Sequence, residues 1–175
     1  MRFGFLAFCL GLLLAFSPVQ AQSLRILALG DSLTAGLGVD PGDAFPAKLE
    51  AALKARGHDI VITNAGVSGD TSTAGAERLD WALADPVDAV ILELGANDAL
   101  RGIDPDQTEK ALDRILAELK TRKLPVLFAG MLAPRNLGPD YGKKFDALFP
   151  RLARKHGVLF YPFFLDGVAA EPALN

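Results

Sequence analysis

The stretch Leu24-Arg25-Ile26-Leu27-Ala28-Leu29-Gly30-Asp31-Ser32 runs a short apolar segment straight into a glycine, an acid and a serine. Apolar without alternation, such a strand is buried on both faces, which is the habit of parallel sheets. Four further apolar runs repeat the theme at residues 59–63, 88–92, 126–129 and 158–161. Helical spacing fills the intervals between them. Residues 44–56 carry Phe45, Leu49, Ala52 and Leu53 and stop at Gly57, and residues 71–83 close before Asp85-Pro86. Residues 105–121 give the clearest helix, with Asp104 as cap, Pro105 in the first turn and Ala111, Leu112, Ile115, Leu116 and Leu119 as its stripe. Residues 143–156 form the last. The alternation predicts an α/β fold: one mostly parallel sheet covered by helices on both faces, without linker, repeat or low-complexity run.

In sheets of this kind functional residues gather at the carboxyl ends of the strands. The first strand is followed by Gly30-Asp31-Ser32-Leu33-Thr34-Ala35-Gly36, which sets the Ser32 hydroxyl at a turn beside free backbone N–H groups. Asp31 can equally cap that turn, which is the plain structural alternative. The second strand leads into Asn64-Ala65-Gly66-Val67-Ser68-Gly69-Asp70-Thr71, a loop able to aim N–H groups at a ligand or merely to connect, with Asp70 or Thr71 capping the next helix. After the third comes Leu94-Gly95-Ala96-Asn97-Asp98, where the Asn97 amide can donate to a developing oxyanion or cap the next element. Together the Ser32 N–H, the Gly69 N–H and the Asn97 side chain would make a three-donor oxyanion hole. One such loop proves little; three on one rim argue for a site. No GxGxxG or GxxxxGK[ST] pattern occurs, so nucleotide binding has no support.

The remaining composition narrows the class. A formal net charge of -3 and a pI near 5.4 give no basic surface of the kind a nucleic-acid partner needs. Met1-Arg2 followed by an apolar run over 3–16 and Ser17-Pro18-Val19-Gln20-Ala21 reads as a signal peptide over residues 1–21, cleaved after Ala21. That run is short of the ~20 apolar residues a membrane helix needs, and no later segment reaches that length, so no stable span is expected after cleavage. An uncleaved anchor is the alternative. Cys9, the single cysteine, lies in this leader with Phe8 before it, which disfavours a lipoprotein site. Disulfides, cysteine nucleophiles and thiolate metal sites are thereby excluded from residues 22–175, the expected single domain, and the expected location is periplasmic or secreted.

The three blocks resemble the GDSL or SGNH hydrolase superfamily, and within it the small bacterial periplasmic arylesterase, thioesterase and lysophospholipase group. Gly30-Asp31-Ser32-Leu33 is similar to the first block, with Ser32 as nucleophile. Gly69 matches the second-block glycine. Gly95-Ala96-Asn97-Asp98 matches the third, with Asn97 as oxyanion donor and Asp31 and Asp98 in support. The similarity runs over residues 25–164. It implies a three-layer α/β/α sandwich with flavodoxin-like strand order, the SGNH hydrolase fold. It also implies hydrolysis of small esters, thioesters or lysophospholipids through a Ser32 acyl-enzyme, with no metal and no cofactor. The loop over 131–144, with Pro134, Asn136, Pro139 and Tyr141, resembles the segment lining the acyl side in these enzymes.

One part of the family pattern is not found. The fourth block, Asp-x-x-His, supplies the base that takes the serine proton and the acid that orients it. His58 and His156 both precede strands, at the end opposite Ser32. Asp166 imitates the start of the block, yet Ala169 stands where its histidine belongs. The expectation is that the catalytic Asp and His, with a final helix, lie past Asn175. The alternatives are a non-catalytic fragment or binding relative, and a hydrolase of sugar acetyl esters.

Overall fold

Each of the five apolar runs forms a strand in the computed structural model, which describes residues 23–171; the expected leader over 1–21 lies outside the described residues. The strands are β1 (Leu24–Gly30), β2 (Ile60–Gly66), β3 (Ala89–Glu93), β4 (Val126–Ala129) and β5 (Leu159–Tyr161). All pairings are parallel, in the order β2-β1-β3-β4-β5. This is the flavodoxin-like order, and its switch point falls between β1 and β3. There the chain leaves in opposite directions and opens a crevice at the carboxyl edge.

Right-handed crossovers put the connections on two faces. From β1 the chain passes through the single turn α1 (Ser32–Ala35) and then α2 (Phe45–Ala55). The other face receives α3 (Ser72–Glu77) and α4 (Leu79–Ala82), then, after the short α5 (Ala96–Leu100), α6 (Pro105–Thr121) and α7 (Pro139–His156). That second face holds the main core. Leu27, Leu29, Val90, Leu92, Val126 and Phe128 of the sheet meet Leu112, Ile115, Leu116 and Leu119 of α6 and Phe145, Leu148, Phe149 and Leu152 of α7. Phe149 lies 5.6 Å from Phe128 and 5.3 Å from Phe145, ring centre to ring centre. A smaller core joins Ala28, Ile60 and Ile62 to Phe45, Leu49 and Leu53 of α2.

The α2 layer thins toward β5. Leu127 pairs in register with Leu159 on the α2 side of the sheet, and they remain 37% and 73% exposed. Phe164, after β5, reaches back to pack edge-on against Phe45 at 5.1 Å. Among the described residues no helix is long and apolar enough to cross a membrane.

Several boundaries differ from the sequence expectation. Strand β2 continues past Thr63 because β1 keeps pairing with it, Ala28 with Asn64 and Gly30 with Gly66, and main-chain hydrogen bonds carry the polar residues along. The helix expected over 71–83 is two helices meeting at Arg78, whose backbone leaves the helical region (φ -96°, ψ 6°). The last helix begins at Pro139, not residue 143, since proline suits a first turn, and it therefore takes Tyr141 out of the expected loop.

Truncating Phe128 tests the core. Phe128→Ala removes a fully buried ring from between Phe149 and Phe160 and is expected to cost roughly 3–5 kcal/mol. In urea unfolding this appears as a lower midpoint at unchanged m-value; a loss under about 1 kcal/mol would contradict the packing described.

Candidate active site

At the switch point the ends of β1 and β3 lie side by side, Gly30 in register with Glu93. The chain turns at once into α1. Asp31 is its cap, with Oδ1 accepting the Leu33 N–H at 3.0 Å, and Ser32 is the first residue of the turn. Gly30 is required by space: a Cβ there would lie 2.1 Å from Thr34 Oγ1 and 2.7 Å from Glu93 Oε2. Ser32 is half-buried, and its N–H has no protein acceptor among the described residues.

The second loop brings Gly69, whose φ of 88° is left-handed territory that suits glycine. Its carbonyl accepts from Arg101 Nη2 at 2.7 Å, and its N–H, like that of Ser32, meets no acceptor among the described residues. Asn97, in α5, joins the two loops. Its Nδ2 donates to Asp31 Oδ2 at 3.1 Å and to the Asp70 carbonyl at 3.0 Å. The three residues singled out from sequence are thus brought together, Asn97 being bonded to the immediate neighbours of Ser32 and Gly69. Both amide hydrogens have partners here, so donation to an oxyanion requires one to be shared or turned.

Behind this rim lies a polar layer. Asp98, fully buried, accepts from the Ser72 N–H at 2.8 Å, Ser72 Oγ at 2.5 Å and Thr108 Oγ1 at 3.0 Å, tying α5 to α3 and α6. Arg78 spans the first two loops, with Nε donating to Asp70 Oδ2 at 2.5 Å and Nη2 to the Gly30 carbonyl at 2.9 Å. Glu93 Oε2 accepts from Thr34 Oγ1 at 2.8 Å and, at 3.5 Å, from the Asp31 N–H. Burial raises the pKa of Asp31, against the pull of the Leu33 and Asn97 donors. Burial first, and then the charge of Asp31, pushes Glu93 up to about 8. Arg78 and Glu93 escaped the sequence reading. Glu93 did leave a signal there, as an acid closing an apolar strand whose burial disfavours it.

The other expected residues are dispersed. Pro134 helps line a cavity of about 380 Å³ with Arg135, Gly138, Pro139, Gly142, Lys143 and Asp146. Asn136 sits in the adjoining turn, Arg135–Leu137. Tyr141 donates its hydroxyl to the Ile103 carbonyl at 2.8 Å and stacks on Phe145, which holds it against the protein and away from that cavity. His58 is exposed before β2, and His156 ends α7 with Nε2 2.6 Å from Asp113 Oδ1. Both lie at the amino edge of the sheet, away from Ser32. Asp166 occupies an exposed turn after β5.

Residues 28–175 match the GDSL-like lipase/acylhydrolase family. The esterase TesA of Pseudomonas aeruginosa is 38% identical over 169 residues, 96% of this chain and 83% of that protein. The thioesterase 1/protease 1/lysophospholipase L1 of Escherichia coli K12 is 38% identical over 168 residues, 95% of this chain and 78% of its own. The crystal structure of AlinE4, an SGNH-hydrolase family esterase, superposes with a TM-score of 0.86 at 48% identity, covering 89% of this chain and 84% of that one.

Asp98 gives the test of this polar layer. Asp98→Ala leaves the Ser72 and Thr108 donors buried without an acceptor and is expected to cost roughly 2–4 kcal/mol. Asp98→Asn puts donors opposite donors and recovers only part of that. Chemical denaturation of the two variants checks the order, and a neutral Asp98→Ala would remove the anchor role.

Proposed function

The chain belongs to the GDSL-like lipase/acylhydrolase family, and from that premise we propose that it works through an acyl-enzyme on Ser32. Its relatives bear the names esterase, thioesterase and lysophospholipase, and the chain is an ester hydrolase. The observation that carries the Ser32 reading is local. Ser32 opens a one-turn helix at the switch point of the sheet, with two N–H donors that meet no acceptor among the described residues, its own and that of Gly69, in loops joined by Asn97.

In the first half-reaction Ser32 Oγ bonds to the substrate carbonyl carbon, and the bond to the leaving oxygen or sulfur breaks. The Oγ proton passes to a base and on to the departing alcohol or thiol. Water then attacks the acyl-enzyme, releases the acid and returns the proton to Ser32. In each tetrahedral intermediate the negative oxygen faces the Ser32 and Gly69 N–H groups and the Asn97 amide. His58 and His156 stand at the opposite edge of the sheet, so the base is another group. Esters and thioesters of small molecules are the substrate class; lysophospholipids extend the proposal, and Pro134 and Asn136 belong to the acyl side of it. A leader over residues 1–21 supports action in the periplasm or outside the cell.

Chromogenic short-chain esters provide the assay. Ser32→Ala is expected to abolish turnover, and Asn97→Ala to lower kcat roughly 10²–10³-fold. An Asn97 effect confined to KM would remove the oxyanion role. Rates on acyl-thioesters, lysophospholipids and acetylated sugars then rank the substrate classes.

A further inference from the structure

We infer that Glu93 is a positioning residue for Ser32, a neutral carboxylic acid that holds the 31–34 turn from beneath while the ionised Asp31 beside it holds Asn97. The inference rests on the reading of Ser32 as nucleophile.

Glu93 ends β3 in register with Gly30 and is fully buried, as are Asp31 and Thr34. It touches the turn on both sides of Ser32, through the Thr34 hydroxyl at 2.8 Å and the Asp31 N–H at 3.5 Å. The space for this is made by the sequence, since any side chain at Gly30 would overlap Thr34 Oγ1 and Glu93 Oε2. A glutamate so placed does a job that core packing alone would not require.

The surroundings determine which carboxyl keeps a proton. Asp31 accepts from two N–H donors, which can only stabilise an acceptor and so favour its anion. Glu93 faces the Thr34 hydroxyl, which can donate or accept, and the weakly placed N–H groups of Asp31 and Thr34. Its second oxygen, Oε1, is buried with no hydrogen-bond partner among the described residues. One unpaired neutral oxygen is a modest penalty, whereas an unpaired buried charge is a large one. Of the charged groups around the pair, Asp31 in the loop after β1 opposes a second charge on Glu93, whereas Asp70 after β2 and Asp98 on α5 act on Asp31 and raise it. The cation at hand, Arg78, directs Nε to Asp70 and Nη2 to the Gly30 carbonyl, and its buried Nη1 has no partner among the described residues. The upward shift of Glu93, caused by burial and the Asp31 charge, agrees with this assignment.

Two consequences reach the reaction. A neutral Glu93 adds no negative charge under the point where an oxyanion develops. Its ionisation would set a second anion against Asp31 and disturb the carboxylate that holds the Asn97 amide.

The test uses Glu93→Gln, Glu93→Ala and Thr34→Val with a p-nitrophenyl ester across about pH 6 to 10, alongside Ser32→Ala. Wild type is expected to lose kcat on the alkaline side as Glu93 ionises, and Glu93→Gln to lack that limb. At neutral pH Glu93→Gln should exceed Glu93→Ala in kcat by roughly tenfold or more, with KM little changed, and Thr34→Val should fall between. Melting temperature reads the proton without any need for turnover. A carboxyl raised from its ordinary 4.5 to about 8 contributes fully below 4.5, and its contribution is lost as pH rises through that window. Wild type should therefore fall relative to Glu93→Gln between those values. Parallel melting curves, or a Glu93→Gln no better than Glu93→Ala, overturn the neutral-acid assignment. An intact kcat in a destabilised Glu93→Ala overturns the positioning role. Turnover that survives Ser32→Ala instead sinks the nucleophile reading, which the melting curves do not depend on.

Discussion

The side-chain amide of Asn97 donates at once to Asp31 Oδ2 and to the Asp70 carbonyl. The three loops of the rim come from three different strands, and nothing in a parallel sheet obliges loops to agree on a common centre. This amide makes them agree. It stands on α5, whose position is set by Asp98 through Ser72 on α3 and Thr108 on α6. A chain of bonds therefore runs from Thr108 in the helical layer to the residue preceding Ser32. Arg78 closes the arrangement from the side, joining Asp70 to the Gly30 carbonyl.

The constraint has an electrostatic side. Asp31, Asp98 and Glu93 are all fully buried on one rim, with Asp70 close behind. Asp98 satisfies its charge with three donors, and Asp70 has Arg78. Asp31 has two N–H donors, and Glu93 has a hydroxyl and two weaker N–H contacts, with Oε1 unpaired among the described residues. The donors are graded, so the acids are not equivalent, and Glu93, with that oxygen unpaired, is the one placed to keep its proton. Buried acids this close together are tolerated on those terms only.

The sequence spoke clearly wherever the signal was local. Glycines and small polar residues after an apolar run marked the loops that follow β1, β2 and β3, and with them the positions of Ser32, Gly69 and Asn97. Where main-chain pairing or distant partners decided the outcome, it was silent. Strand β2 runs through Asn64 because β1 pairs with it, which hydropathy does not register. Tyr141 belongs to α7 because the helix starts at Pro139, and its hydroxyl turns to Ile103, 38 residues away. Arg78 and Glu93 act on Gly30 and Thr34 across 48 and 59 residues, separations at which spacing carries no information. Asp98 was visible beside Asn97, and the acid at the end of an apolar strand was the one visible sign of Glu93.

The precision of the rim does not come from strained backbone. Among the described residues the non-glycine positions with positive φ are Lys123 and Ala170, and neither lies in the loops of Ser32, Gly69 or Asn97. Glycine takes the left-handed positions at 69 and 95, so those loops hold no stored torsional energy of that kind. Geometry is instead fixed by polar bonds whose members each lose a partner if one is removed, which makes the arrangement close to all-or-none. It is also backed by the main core, where Leu29, Leu92 and Leu94 are fully buried beneath the rim. The layer on the α2 face thins over β4 and β5, but the loops of Ser32, Gly69 and Asn97 hang from the ends of β1, β2 and β3. Their order depends on the thick side of the sandwich, and the exposure of Leu127 and Leu159 leaves it untouched.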